Sequence, residues 1–138
     1  MWATCITNRA ADLADHQRGR TWLEATTYHL TPGRGYLVLG MSVTETRLMI
    51  FALDDTEFPG FYPAGLFDIA SQPTPARWMF AVRDGMRASG TDVWANPVQA
   101  VWGYPELVED PSHYTRLVEG EAAARDVFQR RLAEANLP

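Results

Sequence analysis

Before residue 70 the apolar positions of this chain fall into short alternating or continuous runs, and beyond residue 110 they take helical spacing. Trp2 to Ile6 is apolar-leaning and predicts a first strand. Asn8 to Gly19 is polar and helix-neutral, which suits a loop or one helical turn. Thr26-Thr27-Tyr28-His29-Leu30 is β-branched and aromatic and predicts a strand. Pro32-Gly33 marks a tight turn, because proline presets φ and glycine tolerates positive φ. Gly35 to Met41 is the next strand, Ser42 to Arg47 its hairpin loop, and Leu48 to Leu53 a nearly continuous apolar strand. Asp54-Asp55-Thr56-Glu57 and Pro59-Gly60 are turns. Phe61-Tyr62-Pro63 carries a proline, so it fits only an edge or a strand start. Ala64 to Phe67 reads as a short 3₁₀-like turn and Phe67 to Ile69 as a last short strand. Short strands spaced by about ten residues predict a small barrel over residues 1–70. Alternation places Leu37, Leu39, Ile50, Ala52 and Phe67 inward; a one-residue slip would place Val38 and Phe51 there instead.

Ser71-Gln72-Pro73-Thr74-Pro75 stops regular structure and separates the barrel from a β/loop extension over 76–138. In that extension Trp78, Phe80 and Val82 share a face by period-2 spacing, and Asp84-Gly85 suits a hairpin turn. Residues 86–97 read as loop with some extended structure, and Val98 to Trp102 as a strand returning against 78–82. Asp110-Pro111 is a helix start, with aspartate as cap and proline at the first position. Tyr114, Leu117 and Val118 continue that helix, and Gly120 ends it. A second helix opens at Glu121, with an apolar stripe of Ala124, Val127, Phe128, Leu132 and Ala135 opposite Arg125, Gln129, Arg130 and Glu134. The expected class is α+β: one domain over 1–138, with a barrel, an extension and two C-terminal helices packed on it.

The barrel segment resembles the small SH3-like barrel proteins of bacteria and their phages. The resemblance rests on Cys5-Ile6 closing the first strand, Leu30-Thr31-Pro32-Gly33 followed by Tyr36, the strand end Asp54-Asp55, and Tyr62-Pro63-Ala64-Gly65-Leu66-Phe67. It covers about half the chain; the insertion from Asn8 to Thr26 is longer than in minimal versions, and everything after Pro75 lies outside it. The resemblance implies a fold and transfers no catalytic residue.

At 138 residues the chain can bury a core without staples. One cysteine, Cys5, excludes an intramolecular disulfide and a cysteine-based zinc cage. No signal peptide is evident and no run approaches ~20 apolar residues, so a cytoplasmic location with no membrane contact is expected. The net charge of −5, with acids spread along the chain, argues against nucleic acid, which demands clustered Lys/Arg, and suits a basic protein partner.

The candidate chemistry is sparse. His16, His29 and His113 are far apart in sequence and match no metal-ligand spacing; no metal and no cofactor is expected. His29 decorates a strand and His113 is expected to face solvent near a helix start. Cys5 reads as a small buried hydrophobe, the serines lie in no nucleophile elbow, and Gly33-x-Gly35 lacks the rest of a phosphate loop. Asp54 and Asp55, with Glu57, form a carboxylate group, but neighbours on a strand point to opposite faces, which favours turn-forming roles over a shared proton. No catalytic residue is assigned. Two aromatic loops remain: Asp54, Asp55, Glu57, Phe58, Phe61 and Tyr62 in one, Trp102 and Tyr104 in the other. They point to a non-enzymatic protein-binding module, in its most concrete form an immunity-type protein that occludes a basic toxin. The alternative is a small-molecule-binding protein or enzyme with a pocket between barrel and helices.

Overall fold

In the computed structural model of the chain, residues 1–14, 25–44, 47–83 and 98–137 are described, Val98 and Gln99 by backbone alone. The expected Asp84-Gly85 turn, the segment 86–97 and His16 lie outside these residues. Eight strands follow in chain order: β1 (Trp2–Cys5), β2 (Gly35–Leu37), β3 (Gly40–Thr44), β4 (Arg47–Leu53), β5 (Pro59–Pro63), β6 (Phe67–Asp68), β7 (Met79–Val82) and β8 (Val98–Gly103). Three helices close the chain: α1 (Pro105–Glu109), α2 (His113–Val118) and α3 (Ala122–Ala135). The strands form two antiparallel sheets, ordered β2-β1-β6 and β5-β4-β3-β8-β7. The class is α+β.

The expected single barrel ladder is not what forms: the described strands divide between the two sheets. The reason sits at Val38 and Leu39. Val38 N–H donates to Met1 O at 2.8 Å, extending the β1–β2 ladder, while Leu39 N–H donates to Phe51 O at 2.9 Å, at the start of the β3–β4 ladder. The chain changes sheet within one peptide unit. Gly35 to Met41 is therefore two strands, and Val38 and Leu39 are both buried, each in a different core cluster.

β4 explains its own sequence. Ile50 and Ala52 face a cluster built with Ala3, Cys5, Tyr36, Tyr62, Leu66 and Phe67 under the three-stranded sheet. Phe51, between them, faces a second cluster with Val101, Leu107, Val108, Leu117, Ala124 and Phe128 under the helices. All three are fully buried. A strand covered on both faces reads as a continuous apolar run, so both alternation sets are core. Phe51 stacks on Phe61 with centroids 4.9 Å apart and makes edge contacts with Tyr114 and Phe128 at 5.7 and 6.0 Å.

Two glycines set how closely the helices dock. Gly40 and Gly103 are register partners on the helix face, beside Phe51. A Cβ on Gly40 would stand 2.5 Å from Leu107 Cδ2 and 2.9 Å from Trp102 O, and Gly103 has φ +152° besides. The dip they leave is where Leu107 seats α1.

Other expectations are revised. Residues 26–30 form no strand; Thr27 makes a single bridge to Arg9. Ser42 to Thr44 continues β3 and is not a loop. β8 pairs with β3 as well as β7, so the segment after Pro75 shares the central sheet with the first half. Asp110 Oδ1 accepts the Ser112 N–H at 3.0 Å, but α2 begins at His113. α1, opening on Pro105 at its first position, is an additional helix. On α3, Ala124 and Phe128 are buried and Val127 and Leu132 half-buried, while Ala135 is exposed.

Candidate functional site

The turn after β4 is a polar knot. Asp54 is buried, and its Oδ1 accepts the N–H groups of Thr56 and Phe58 at 2.8 and 3.0 Å and the Thr56 hydroxyl at 2.6 Å. Its Oδ2 accepts the Tyr62 hydroxyl at 3.0 Å. Burial alone would raise the Asp54 pKa; these hydrogen bonds, led by the Thr56 side chain, outweigh it and hold the carboxyl below its ordinary range. Asp55 turns away and accepts the hydroxyls of Thr31 and Tyr36, both at 2.7 Å, and Arg34 Nη1 at 2.8 Å. Those hydroxyl bonds, then Arg34, hold its carboxyl low as well. Each aspartate thus keeps its own partners. Asp54 shapes the turn, and Asp55 ties it to the segment 31–36.

This placement removes part of the first aromatic loop from the surface. Tyr62 is a core residue, and burial followed by the neighbouring Asp54 charge pushes its pKa up. Phe61 packs between Phe51 and Tyr114. Asp55, Thr56, Glu57 and Phe58 stay exposed on the turn, Asp55 with its carboxylate tied to its partners, Glu57 in a left-handed conformation at φ 62° and Phe58 at 47% exposure. Asp54 takes the turn-forming role expected of it, and Tyr62 reaches back to it from β5.

The second aromatic loop is not a loop. Tyr104 caps α1 and is buried, with its hydroxyl 2.8 Å from His113 Nε2 and the rings edge to face. His113, expected at the surface, is 2% exposed. Burial, more than the opposing charges of Asp110 and Glu106, lowers its pKa, so the imidazole is held neutral. Its position one residue into a short helix gave no sign of this, because α2 turns that residue toward β8 and α1.

Trp102 lies in β8 on the opposite face of the central sheet from Tyr104's cluster. Its register partners are Met41 on β3 and Phe80 on β7, and its ring is 4.8 Å from Phe80. Phe80 is 53% exposed, and Val82 and Leu48, pointing the same way, are exposed too. Trp102, Met41 and Val43 are half-buried. The three-stranded sheet covers this face at Ile50, Ala52 and Tyr62 and leaves the β7–β8 side open. The period-2 pattern of 78–82 predicted the shared face but gave no means of telling core from surface.

A cleft of about 200 Å³ lies on the helix side, between residues 75–78, the start of α1 and the end of α3. Leu39, Pro75, Trp78, Tyr104 and Pro105 line it, with Arg77, Arg131 and Glu134. Arg131 forks onto Glu106 with both bonds at 2.9 Å and reaches Glu134 at 2.8 Å. The Arg131 hydrogen bonds in turn keep the Glu106 carboxyl low.

Cys5 is buried, donates its thiol to Thr7 O at 3.3 Å, and has its pKa raised chiefly by burial, the reverse of what a nucleophile needs. No three His, Cys, Asp or Glu side chains among the described residues gather as a metal cage, and no described helix is long and apolar enough to cross a membrane. No family model, curated protein or solved structure matches the chain.

Proposed function

We propose that this chain is a non-enzymatic protein-binding module, working in the cytoplasm, that engages its partner through the open face around Phe80 and Trp102. The observation that carries this reading is an apolar face on the central sheet: Phe80 and Trp102 in tilted ring contact at 4.8 Å, Val82 exposed on the same strand as Phe80, and Leu48 exposed on the same face at β4. Large exposed apolar patches on small proteins mark interaction sites, and aromatic anchors dominate binding energy. Glu57 and Phe58, exposed at the turn between β4 and β5, add contacts for a partner large enough to span the sheet. The net charge of −5 speeds encounter with a basic partner. A basic toxin occluded by an immunity-type protein is the narrow form of the reading. In fold terms the reading takes residues 1–70 as a splayed relative of the SH3-like barrel, supported by the passage of one chain segment between sheets at Val38 and Leu39.

The test uses a double variant, Phe80→Ser with Val82→Ser, both at exposed positions. A partner captured by the unaltered chain from its native lysate is purified and titrated against both proteins. Loss of at least ~30-fold in affinity, the hot-spot scale, with an unchanged melting temperature supports the face. Equal affinity in the double variant rejects it.

A further inference from the structure

We propose that the cleft between residues 75–78 and the helices is a separate site for a small aromatic carboxylate. This inference is independent of the protein-binding face, since Phe80, Val82, Trp102 and Leu48 do not line the cleft. Three features carry it.

The walls are apolar and stiff. Pro75 and Pro105 have restricted backbones, Leu39 is anchored in the helix-side core, and Tyr104 is held by its bond to His113. At about 200 Å³ the cleft is below the ~300–1,000 Å³ typical of sites for drug-sized ligands, so its ligand has one ring or a small fused pair.

The polar groups gather at one side, and they carry a surplus of positive charge. The charged residues that line the cleft are Arg77, Arg131 and Glu134, two guanidinium groups to one carboxylate, with Arg77 3.7 Å and Arg131 2.8 Å from Glu134; Glu106, which Arg131 also holds, stands behind the lining. Arg131 is committed to both carboxylates through close hydrogen bonds. Arg77 is not: its one carboxylate contact among the described residues is long, and its side chain is 78% exposed. A ligand carboxylate at the rim takes up Arg77 and neutralises the surplus without breaking the Arg131 fork. A cationic ligand meets an unfavourable field, and a neutral one gains only the apolar walls.

The experiment titrates the full chain with phenylacetate and with phenylacetamide, its neutral counterpart, following backbone amide shifts by NMR. Saturable binding of the acid in the millimolar range is expected, with shifts at Ala76, Trp78 and Arg131. The amide should bind about 2- to 5-fold more weakly, the range for one exposed charge pair. Arg77→Gln should remove the difference between acid and amide. Ala135→Phe, at an exposed position on the cleft wall, should abolish binding of both by filling the space. Absence of saturable acid binding, equal binding of acid and amide, or full binding by Ala135→Phe each overturns the assignment.

Discussion

The central sheet has one face that is fully covered and one that is half covered. On the helix side, Phe51, Val101 and the glycine pair Gly40 and Gly103 meet Leu107, Leu117 and Phe128, and the sheet's middle is sealed. On the other side, the three-stranded sheet seals Ile50, Ala52 and Tyr62 and stops short of Phe80 and Val82. Both faces carry large apolar side chains; what differs is how far the elements laid over them extend. β6 has two residues and β2 three, too few to reach across five strands. Residues of one type are therefore sealed at one end of a face and stay exposed at the other.

The sharpest way to break this comparison is to cut both sides of β4. Phe51→Ala should cost about 3–5 kcal/mol and Ile50→Ala about 2–5 kcal/mol in urea unfolding, since both are fully buried. A small cost for either would mean that its face is not core. The next effect is at the polar knot: Asp54→Ala strands two turn N–H groups and the buried Tyr62 hydroxyl, and should cost about 2–3 kcal/mol. Asp55→Ala should also destabilise, because it unties Thr31, Arg34 and Tyr36; an unchanged melting temperature would leave Asp55 free for a partner.

Acid titration separates the two sides by pH. The folded-state pKa of His113 is depressed below its ordinary 6.5, so the unfolded chain binds the extra proton first. Stability should be full above about pH 7 and fall as pH drops through the 6.5 region, with a slope of at most about 1.4 kcal/mol per pH unit. Asp54 and Asp55 also have depressed pKa values, so their contribution is present above the ordinary 3.8 and is lost only below it. His113→Gln should flatten the upper limb and leave the lower one; an unaltered profile would place the His113 side chain in solvent. The smallest stability effect belongs to the open face: Phe80→Ser should cost under about 0.5 kcal/mol, and a cost like that of Ile50→Ala would show that Phe80 is structural.

Much of this architecture could be read along the chain. The apolar run 48–53, the turn at Asp54-Asp55, the pairing of 78–82 with 98–102 and the α3 stripe through Ala124 and Phe128 each follow from local chemistry. The candidate site was less accessible. The turn role of Asp54 was legible, and it accepts the Thr56 and Phe58 N–H groups as expected; nothing local reveals that Tyr62 bonds to Asp54 or Tyr104 to His113. Of the residues picked out for binding, Trp102 borders the open face, and Glu57 and Phe58 stand on the opposite turn.

What the sequence determined by itself was element type: period, β-branching, proline and glycine act within a few residues and need no distant partner. Only the tertiary structure decided which apolar positions are core. Val38 and Leu39 are both buried because the chain crosses between sheets at that peptide, and Ile50 and Phe51 because both sides of β4 are covered. Phe80 and Val82, of the same apolar character, stay exposed because no described element reaches them. Burial depends on which surfaces meet, and that is a property of pairs of segments far apart in the chain.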